Sequence, residues 1–218
     1  MQSLKSEDVV YRNRFRTRRF SQFMTIAEDI IRDKGSCSII DVGGAAAYWH
    51  GMSALWQGRP IKVTIVNLKS EAVPNEQFSS VVGNACNLPE FADNSFDLVH
   101  SNSVIEHVGR WNEKLRMANE VRRLARRYFV QTPNYWFPFE PHFRAPFMQF
   151  LPEPWRLSLV QRFKVGFYPR AANVAEAYAV LEDATLLDAQ TMRALFPDAE
   201  IQRERFLFLT KSLIAIRK

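Results

Sequence analysis

A short apolar run followed by glycines and alanines carries the residue types that a nucleotide-like ligand requires. Residues 38–47 read Ser-Ile-Ile-Asp-Val-Gly-Gly-Ala-Ala-Ala. Because these small residues carry little or no side chain, a ligand can approach the backbone closely at the turn. Asp41, at the end of the run, can anchor a polar ligand group beside the following helix. The segment therefore predicts a ligand pocket, with tight packing of a strand on a helix as the alternative.

Two later segments extend this pattern. Residues 95–103 read Ser-Phe-Asp-Leu-Val-His-Ser-Asn-Ser, an apolar strand that ends in small polar residues, and Val-Ile-Glu-His-Val follows at 104–108. Upstream, residues 83–89 read Gly-Asn-Ala-Cys-Asn-Leu-Pro. Several such segments in one order are much harder to obtain by chance than a single glycine turn.

In this order the segments resemble the class I S-adenosylmethionine-dependent methyltransferases. The resemblance is to the broad group whose signature runs D-x-G-x-G, then G-D-A-x-x-L-P, then S-F-D-x-V followed by E-H-V. It is strongest from about Ser38 to Asn134, and it resumes at Ala199–Lys218 as a closing hairpin. The resemblance implies an α/β fold: a Rossmann-like, doubly wound sheet of seven strands, mostly parallel, with an antiparallel C-terminal hairpin. It also implies S-adenosylmethionine as cofactor and methyl transfer as the activity.

The resemblance further implies which residues hold the cofactor. Gly43, Gly44 and Ala45 would let the backbone pass under its methionine half. Asp41 would fix the amino group directly or through the turn, or would instead cap the following helix. The expected cofactor-binding residues are Asp41, Gly43, Gly44, Ala45, Asn67, Leu68, Asn84, Ala85, Cys86, Ser101 and Asn102.

Two amides depart from the family pattern. Asn67 stands where the family places an acid that binds both ribose hydroxyls, and Asn84 stands where an aspartate usually accepts a hydrogen bond from the adenine amino group. An amide keeps hydrogen-bonding capacity but lacks the charge-assisted strength of a carboxylate. We therefore expect a working site whose affinity for the cofactor is in question, with Glu71 as a second candidate for the ribose.

Two histidines are the expected catalytic residues. His142 lies in the sequence Glu140-Pro141-His142-Phe143, and its ordinary pKa suits proton transfer near neutral pH, although it could equally tie this segment to the core. His107 is the second candidate, although adjacent helical residues such as Glu106 and His107 do not face each other. No metal is predicted, because the acids and histidines show no ligand-like spacing.

Composition favours one soluble domain of cytoplasmic location. The chain has 218 residues, of which 47% are hydrophobic, and no apolar run approaches the ~18 to 20 residues of a membrane span. Its net charge of +6 lies partly in an N-terminal run of arginines and partly near residues 116–127. Such clusters attract anionic surfaces or form solvated faces, and no RNA-binding signature accompanies them. The two cysteines have no metal-like spacing and are expected to be reduced.

Periodicity predicts alternating strands and helices. The resemblance implies that they form a single methyltransferase domain, residues 1–218. A basic helix is expected over 8–34 and a second helix over Trp111–Leu124. The predicted strands are Ser38–Val42, Lys62–Leu68, Phe78–Val82, Phe96–His100, Arg127–Thr132, Glu200–Leu207 and Lys211–Arg217.

An aromatic, proline-broken lid segment, residues 133–183, cannot form one long helix. In the family this region covers the acceptor pocket, so it is the expected determinant of the acceptor, unless its aromatics only pack on the sheet. The leading acceptor is a small molecule or sugar methylated on oxygen or nitrogen. One alternative is a lipid-linked acceptor, with the basic arm and the aromatic lid contacting a membrane. The other is a non-enzymatic binding module with a degraded pocket.

Overall fold

The computed structural model describes residues 14–73 and 75–218. The strands among them are β1 Cys37–Val42, β2 Ile61–Asn67, β3 Phe78–Val82, β4 Leu98–Asn102, β5 Tyr128–Pro133, β6 Phe139–Glu140, β7 Ala145–Pro146, β8 Glu200–Phe206 and β9 Leu209–Arg217. The α-helices among them are α1 Arg14–Lys34, α2 Ala46–Gly51, α3 Ser53–Trp56, α4 Trp111–Leu124, α5 Glu153–Arg162, α6 Val174–Glu182 and α7 Ala189–Leu195, with a 3₁₀ turn at Met148–Phe150.

Seven strands form one sheet in the order β3-β2-β1-β4-β5-β9-β8. Strand β1 pairs in parallel with both β2 and β4, and β2 pairs in parallel with β3. The C-terminal pair, β8 and β9, is antiparallel. This is the expected Rossmann-like sheet, whose parallel strands place their carboxyl ends along one edge. The short strands β6 and β7 form a separate antiparallel pair.

The chain forms two compact units. The first unit runs to Asn102 and adds Met117–Val130 and Ile216–Lys218, while the second consists of Ser103–Arg116 and Gln131–Ala215. The first unit contains β1 to β4. Its strand β1 is buried along almost its whole length, as expected for a central parallel strand covered on both faces.

Helix α1 supplies one apolar face of the first unit. Phe20, Phe23, Ala27 and Ile30 recur at helical spacing and are fully buried. The helix ends before Gly35, whose φ of +82° suits glycine and whose N–H donates to the carbonyl of Ile31. The basic helix predicted over 8–34 is thus seen from residue 14, and its first six residues lie outside the described part of the chain.

The second unit contains most of the lid segment. Prolines divide this segment into the β6–β7 pair, the 3₁₀ turn and two helices, α5 and α6. It has its own apolar cluster, in which Phe143, Met148, Val160, Ala171, Ala177 and Leu181 are buried. Several of the large aromatics point outward instead, which makes this unit unusual in surface composition. Within the described residues no helix has the length and apolarity of a membrane span.

Candidate functional site: strand ends and a histidine cluster

The glycine turn after β1 is shaped by a carboxylate beneath it. Gly43 has a φ of +73°, a conformation that favours glycine, and its N–H donates to the carbonyl of Val66. A Cβ atom at Gly44 would lie 2.0 Å from Oδ2 of Asp41. Any side chain at Gly44 therefore requires Asp41 to move, so the two residues specify the turn together.

Asp41 is bonded within the protein through both carboxylate oxygens. Its side chain is 1% exposed; the indole Nε1–H of Trp49 donates to Oδ2 at 2.6 Å, and Nδ1 of His100 lies 2.7 Å from Oδ1. These bonds favour the expectation that Asp41 acts through the turn. The alternative helix cap is not what holds α2, because the N–H of Ala46 donates to the carboxylate of Glu71.

Aromatic rings surround His100 and hold its imidazole in place beneath the glycine turn. The imidazole stacks on Tyr48, with ring centroids 5.6 Å apart, and on Phe129, at 6.3 Å, while Phe23 lies 4.6 Å away at a tilted angle. His100 is the register partner of Asp41 across the β1–β4 pair. The Asp41–His100 pair is therefore set by two adjacent strands, and α1 and α2 supply two of the rings around it.

The two amides that depart from the family pattern hold loops in this structure. Asn67 donates from Nδ2 to the carbonyl of Gly44 at 2.8 Å, and its Oδ1 accepts the N–H of Leu68. Asn84 accepts the N–H of Cys86 with its Oδ1 at 3.0 Å, a local turn typical of asparagine. Each amide thus shapes the backbone at the end of a strand.

The residues after β2 and β3 differ in what they expose. Leu68 is 74% exposed, although it is a large apolar side chain immediately after a buried strand. Leu88, by contrast, is fully buried, and a Cβ at Gly83 would come within 2.9 Å of it. Leu88 therefore packs beneath the loop.

Strand β4 ends in one bonded and one unpaired polar side chain. Ser101 is buried and donates through Oγ to the carbonyl of Val42 at 2.9 Å. Oδ1 of Asn102 is buried and has no hydrogen-bond partner among the described residues. A buried oxygen without a donor is costly, so Asn102 is the group at this edge that a ligand would satisfy.

Hydrogen bonds join the ends of all four strands in the first unit. The turn after β1 bonds to β2 through Gly43 and Asn67, the loop after β3 bonds to β2 through the N–H of Gly83, and β4 bonds to β1 through Ser101. The cofactor-binding residues expected from the sequence therefore converge at one edge of the sheet, which is where open α/β sheets bind ligands.

The second unit brings together Glu106, His107 and His142. Each offers one ligand atom, and these atoms all lie within 4.8 Å of one another. The two imidazole rings are perpendicular, with centroids 4.8 Å apart. The assumption that Glu106 and His107 are helical is wrong. They lie in a turn before α4, and the backbone of a turn allows adjacent side chains to face the same point.

Electrostatics within this histidine cluster are set by burial and by carboxylates. Burial raises the pKa of Glu106, against the lowering effect of His107 and His142. For His142, burial is the largest single effect and would lower the pKa, but the hydrogen bond to Glu140, at 2.7 Å, and the charges of Glu140, Glu106 and Asp183 together outweigh it, so the net direction is upward. His107 instead contacts Asp183 through its carbonyl and carboxylate oxygens.

A cavity of about 210 Å³ lies within the second unit. Its wall combines aromatic and polar side chains. Oε1 of Gln149 and Nε of Arg156 are buried there without a hydrogen-bond partner among the described residues. The other side chains that line the cavity are Tyr135, Glu140, Phe143, Met148, Leu181, Ala184, Thr185 and Leu186.

A family model described as a methyltransferase domain matches residues 43–128, which contain the glycine turn, the ends of β2 to β4 and Glu106–His107. The fold around this segment is that of the same class. The match covers less than half of the chain, so it identifies a methyltransferase-type segment on the fold of the class I S-adenosylmethionine-dependent methyltransferases. S-adenosylmethionine is the cofactor of that class.

Comparison with individual proteins adds a short match to a longer relative. An uncharacterized protein of Mycobacterium tuberculosis is 37% identical over 62 residues, which make up 28% of this chain and 21% of that protein. The matched part is therefore about a fifth of the relative's own length. Nothing about an acceptor follows from it.

Two solved methyltransferase structures share the fold. One, from Methanosarcina mazei, is an S-adenosylmethionine-dependent methyltransferase that is 14% identical, with 86% of this chain and 94% of that chain covered and a TM-score of 0.50. The other is the Burkholderia thailandensis 1,6-didemethyltoxoflavin-N1-methyltransferase, solved with its substrate and S-adenosylhomocysteine bound. It is 12% identical, with 88% and 76% covered and a TM-score of 0.50. At these identities the likeness concerns the fold alone.

The residues at this edge of the sheet fit S-adenosylmethionine in three respects. The turn at Gly43–Gly44 presents backbone without side chains, and Asn102 offers a buried acceptor oxygen that no described residue satisfies. An exposed Leu68 adds apolar surface at the same edge. The turn would hold the methionine half of the cofactor, Asn102 would accept a hydrogen bond from one of its polar groups, and Leu68 would contact the base or the sugar.

Sequence reasoning missed Trp49 and His100 as the groups that bond Asp41, and Glu140 as the group that orients His142. Glu71, expected as a second candidate for the ribose, holds the start of α2. The sequence does place His100 in the fourth strand, directly before Ser101. Its pairing with Asp41 follows only once the strand register is known.

Proposed function

We propose that this protein transfers the methyl group of S-adenosylmethionine to the oxygen or nitrogen of a small-molecule or sugar-type acceptor. The observation that carries the proposal is the bonded set of strand ends in the first unit, with the unpaired Oδ1 of Asn102 at the end of β4. When bound, the cofactor supplies an electrophilic methyl on sulfur, so the protein has to position two molecules and manage one proton.

The cofactor-binding residues act in two ways in this proposal. Gly43, Gly44 and Ala45 give the methionine half a backbone surface, and Asn102 receives a hydrogen bond from the cofactor. Leu68 packs on the ribose or adenine, since its exposed side chain loses water there. Asp41 acts from below, through Gly44.

The amides act mainly on the loops. Asn67 acts through its bond to the carbonyl of Gly44, and Asn84 with Ala85 and Cys86 forms the turn that offers hydrogen bonds to the adenine. Ser101 secures β4 against β1. This assignment gives the two departures from the family pattern a structural purpose and leaves the pocket functional. The Burkholderia enzyme of the same fold was solved with S-adenosylhomocysteine, which supports S-adenosylmethionine as the cofactor.

The second unit supplies the acceptor site in this proposal. Its cavity, at about 210 Å³, is smaller than the ~300 Å³ at which sites for drug-sized ligands begin, and it mixes aromatic walls with polar groups. The reacting atom of the acceptor is assigned to the imidazoles of His107 and His142, the two residues that the sequence predicts as catalytic. Their Nδ1 atoms are engaged by Asp183 and Glu140, which fixes the orientation of both rings.

An assay of S-adenosylhomocysteine release tests the proposal. The protein is incubated with S-adenosylmethionine and, in parallel, with panels of phenols, sugars and primary amines. We expect release above the acceptor-free rate with one soluble class, and a loss of at least about tenfold in the apparent affinity for S-adenosylmethionine in Asn102→Ala. Asn112→Ala, an exposed asparagine of α4, is the matched control and should behave as the wild type.

A second candidate function is methylation of a lipid-linked acceptor. Trp136, Phe147 and Phe150 are exposed yet packed together, with Trp136 stacked on Phe150 at 5.9 Å. Nearby in the same unit, the guanidinium of Arg144 lies 4.3 Å from the ring centroid of Phe167. Aromatics and arginines together suit a membrane interface.

Vesicles separate the two candidates. We expect the protein to remain in the supernatant when it is sedimented with vesicles of phosphatidylcholine and phosphatidylglycerol. Sedimentation that is lost in Trp136→Ser, combined with methyl transfer only to acceptors embedded in vesicles, would replace the soluble acceptor by the lipid-linked one. Failure to bind either form of the cofactor would favour the non-enzymatic module.

A further inference from the structure

We propose that Glu106, His107 and His142 form a binding site for a divalent first-row transition-metal ion of the zinc class. Three ligand atoms from these residues lie within 4.8 Å of one another, and all three residues belong to the second unit. The cluster is not visible in the sequence, because two ligands are adjacent and the third lies far along the chain in the lid segment.

The histidines are arranged as metal ligands commonly are. Nδ1 of His107 lies 2.9 Å from the carbonyl oxygen of Asp183, and Nδ1 of His142 lies 2.7 Å from Oε1 of Glu140. In the neutral ring these contacts place the proton on Nδ1 and leave the lone pair on Nε2. Ligating histidines almost always donate their other ring N–H to a carbonyl or carboxylate in this way.

Glu106 supplies the third ligand and the strongest reason for a cation. Its side chain is fully buried; Oε2 accepts the hydroxyl of Thr132 at 3.0 Å, while Oε1 is buried without a partner among the described residues. A buried carboxylate oxygen with no donor is costly, and a bound cation removes that cost.

Lys114 is the other cation near this carboxylate. Its charge interacts with Glu106, but its ammonium bonds to the carbonyl of Gly109 and to the hydroxyl of Thr185 and donates no hydrogen bond to Oε1. Asp183 and Glu140 engage the outer nitrogens of the histidines. The cluster therefore has carboxylates on its outer side and an unsatisfied carboxylate oxygen on its inner side, which favours a positive ion between them.

The donor set selects the class of ion. Two imidazoles and one carboxylate suit Zn²⁺, Fe²⁺ or Co²⁺, whereas Mg²⁺ and Ca²⁺ prefer oxygen ligands. Metal bonds of about 2.0 to 2.2 Å require the ligand atoms to approach one another somewhat further. His107 can supply that movement, since its side chain is 34% exposed. Three protein ligands leave a fourth position open, as in catalytic zinc sites.

The open coordination position suggests how the acceptor would bind in the proposed function. A metal ion there would hold the acceptor oxygen and lower its pKa, so the histidines would act on the acceptor through the ion. This role rests on the proposed methyl transfer, whereas metal binding itself does not.

A cobalt titration tests metal binding without any cofactor or acceptor. The full chain is treated with a chelator, dialysed and titrated with Co²⁺, and the visible ligand-field bands are recorded. We expect saturable bands that Zn²⁺ abolishes and Mg²⁺ leaves unchanged. His107→Gln and His142→Gln should each weaken binding by more than about tenfold. Glu106→Gln keeps the shape and the Thr132 contact, and should weaken binding likewise.

His50→Gln is the matched control, because His50 is an exposed histidine of α2, in the first unit. Its Co²⁺ affinity should equal that of the wild type. Folding is checked by circular dichroism, and the partly exposed His107 ensures that at least one ligand variant tests binding in a folded protein. Cobalt affinity that is unchanged in His107→Gln, or absent in the wild type at millimolar Co²⁺, overturns the site. Neither result would affect cofactor binding in the first unit, so the two proposals fail separately.

Discussion

Replacing Asp41 by alanine should destabilise the protein strongly. The change removes the acceptor of the Trp49 indole N–H and of the His100 ring, and both partners are buried. Each polar group left unsatisfied costs about 1–3 kcal/mol, and two such groups are left here. We therefore expect a loss of about 4 kcal/mol in the free energy of unfolding, which corresponds to roughly 8–16 °C in the melting temperature of a chain of this size.

Asparagine at this position separates charge from shape. In Asp41→Asn the amide oxygen can still accept from Trp49, and the NH₂ group can donate to His100 once that ring carries its proton on Nε2. About half of the loss should be recovered. Urea unfolding of the three proteins, followed by circular dichroism, gives the comparison.

The same variants show how Asp41 affects the cofactor. Asp41→Ala should weaken the affinity for S-adenosylhomocysteine by about ten-fold or more, because Gly44 loses the carboxylate that it packs against. A variant that unfolds within about 1 kcal/mol of the wild type refutes the argument from burial. If that stable variant also lost its affinity, Asp41 would contact the cofactor directly.

Three further predictions follow from individual contacts. Gly44→Ala should lower both the stability and the cofactor affinity, since its Cβ would meet Asp41 at 2.0 Å; melting and titration curves like those of the wild type would contradict this. Asn67→Ala should lower the affinity for S-adenosylhomocysteine by roughly fivefold, the equivalent of about 1 kcal/mol for the lost bond to the Gly44 carbonyl, with little change in melting temperature. Burial raises the pKa of Cys37 to about 12, so a disulfide reagent at pH 8 should modify Cys86 first and Cys37 only on unfolding; two equal fast phases would contradict that order.

The sequence predicted the sheet well because parallel strands are apolar runs with clear ends. The strand over Phe78–Val82 and the helix over Trp111–Leu124 have the predicted bounds. The fourth strand begins at Leu98, two residues later than expected. Phe96 and Asp97 do not continue the strand, because the carboxylate of Asp97 bonds to Ser38 and Lys34.

The candidate site was predicted in composition but not in contacts. Small residues at strand ends predict where a pocket lies. The hydrogen-bond partner of each side chain depends on strand register, and a single sequence motif does not determine register. Asn67 is expected to face the ribose, and its bond to the carbonyl of Gly44 is a contact that the sequence does not predict. The convergence of Glu106 with His142 requires the turn before α4 and the folding of the lid segment, neither of which follows from spacing.

Titration calorimetry of the wild-type protein with S-adenosylhomocysteine tests the central claim most directly. The product analogue binds without being consumed, so the result depends on the pocket alone. The bonded strand ends and the unpaired Asn102 predict binding at micromolar concentration. No heat of binding at millimolar ligand would contradict a working cofactor site and would leave the strand-end network as a structural feature only.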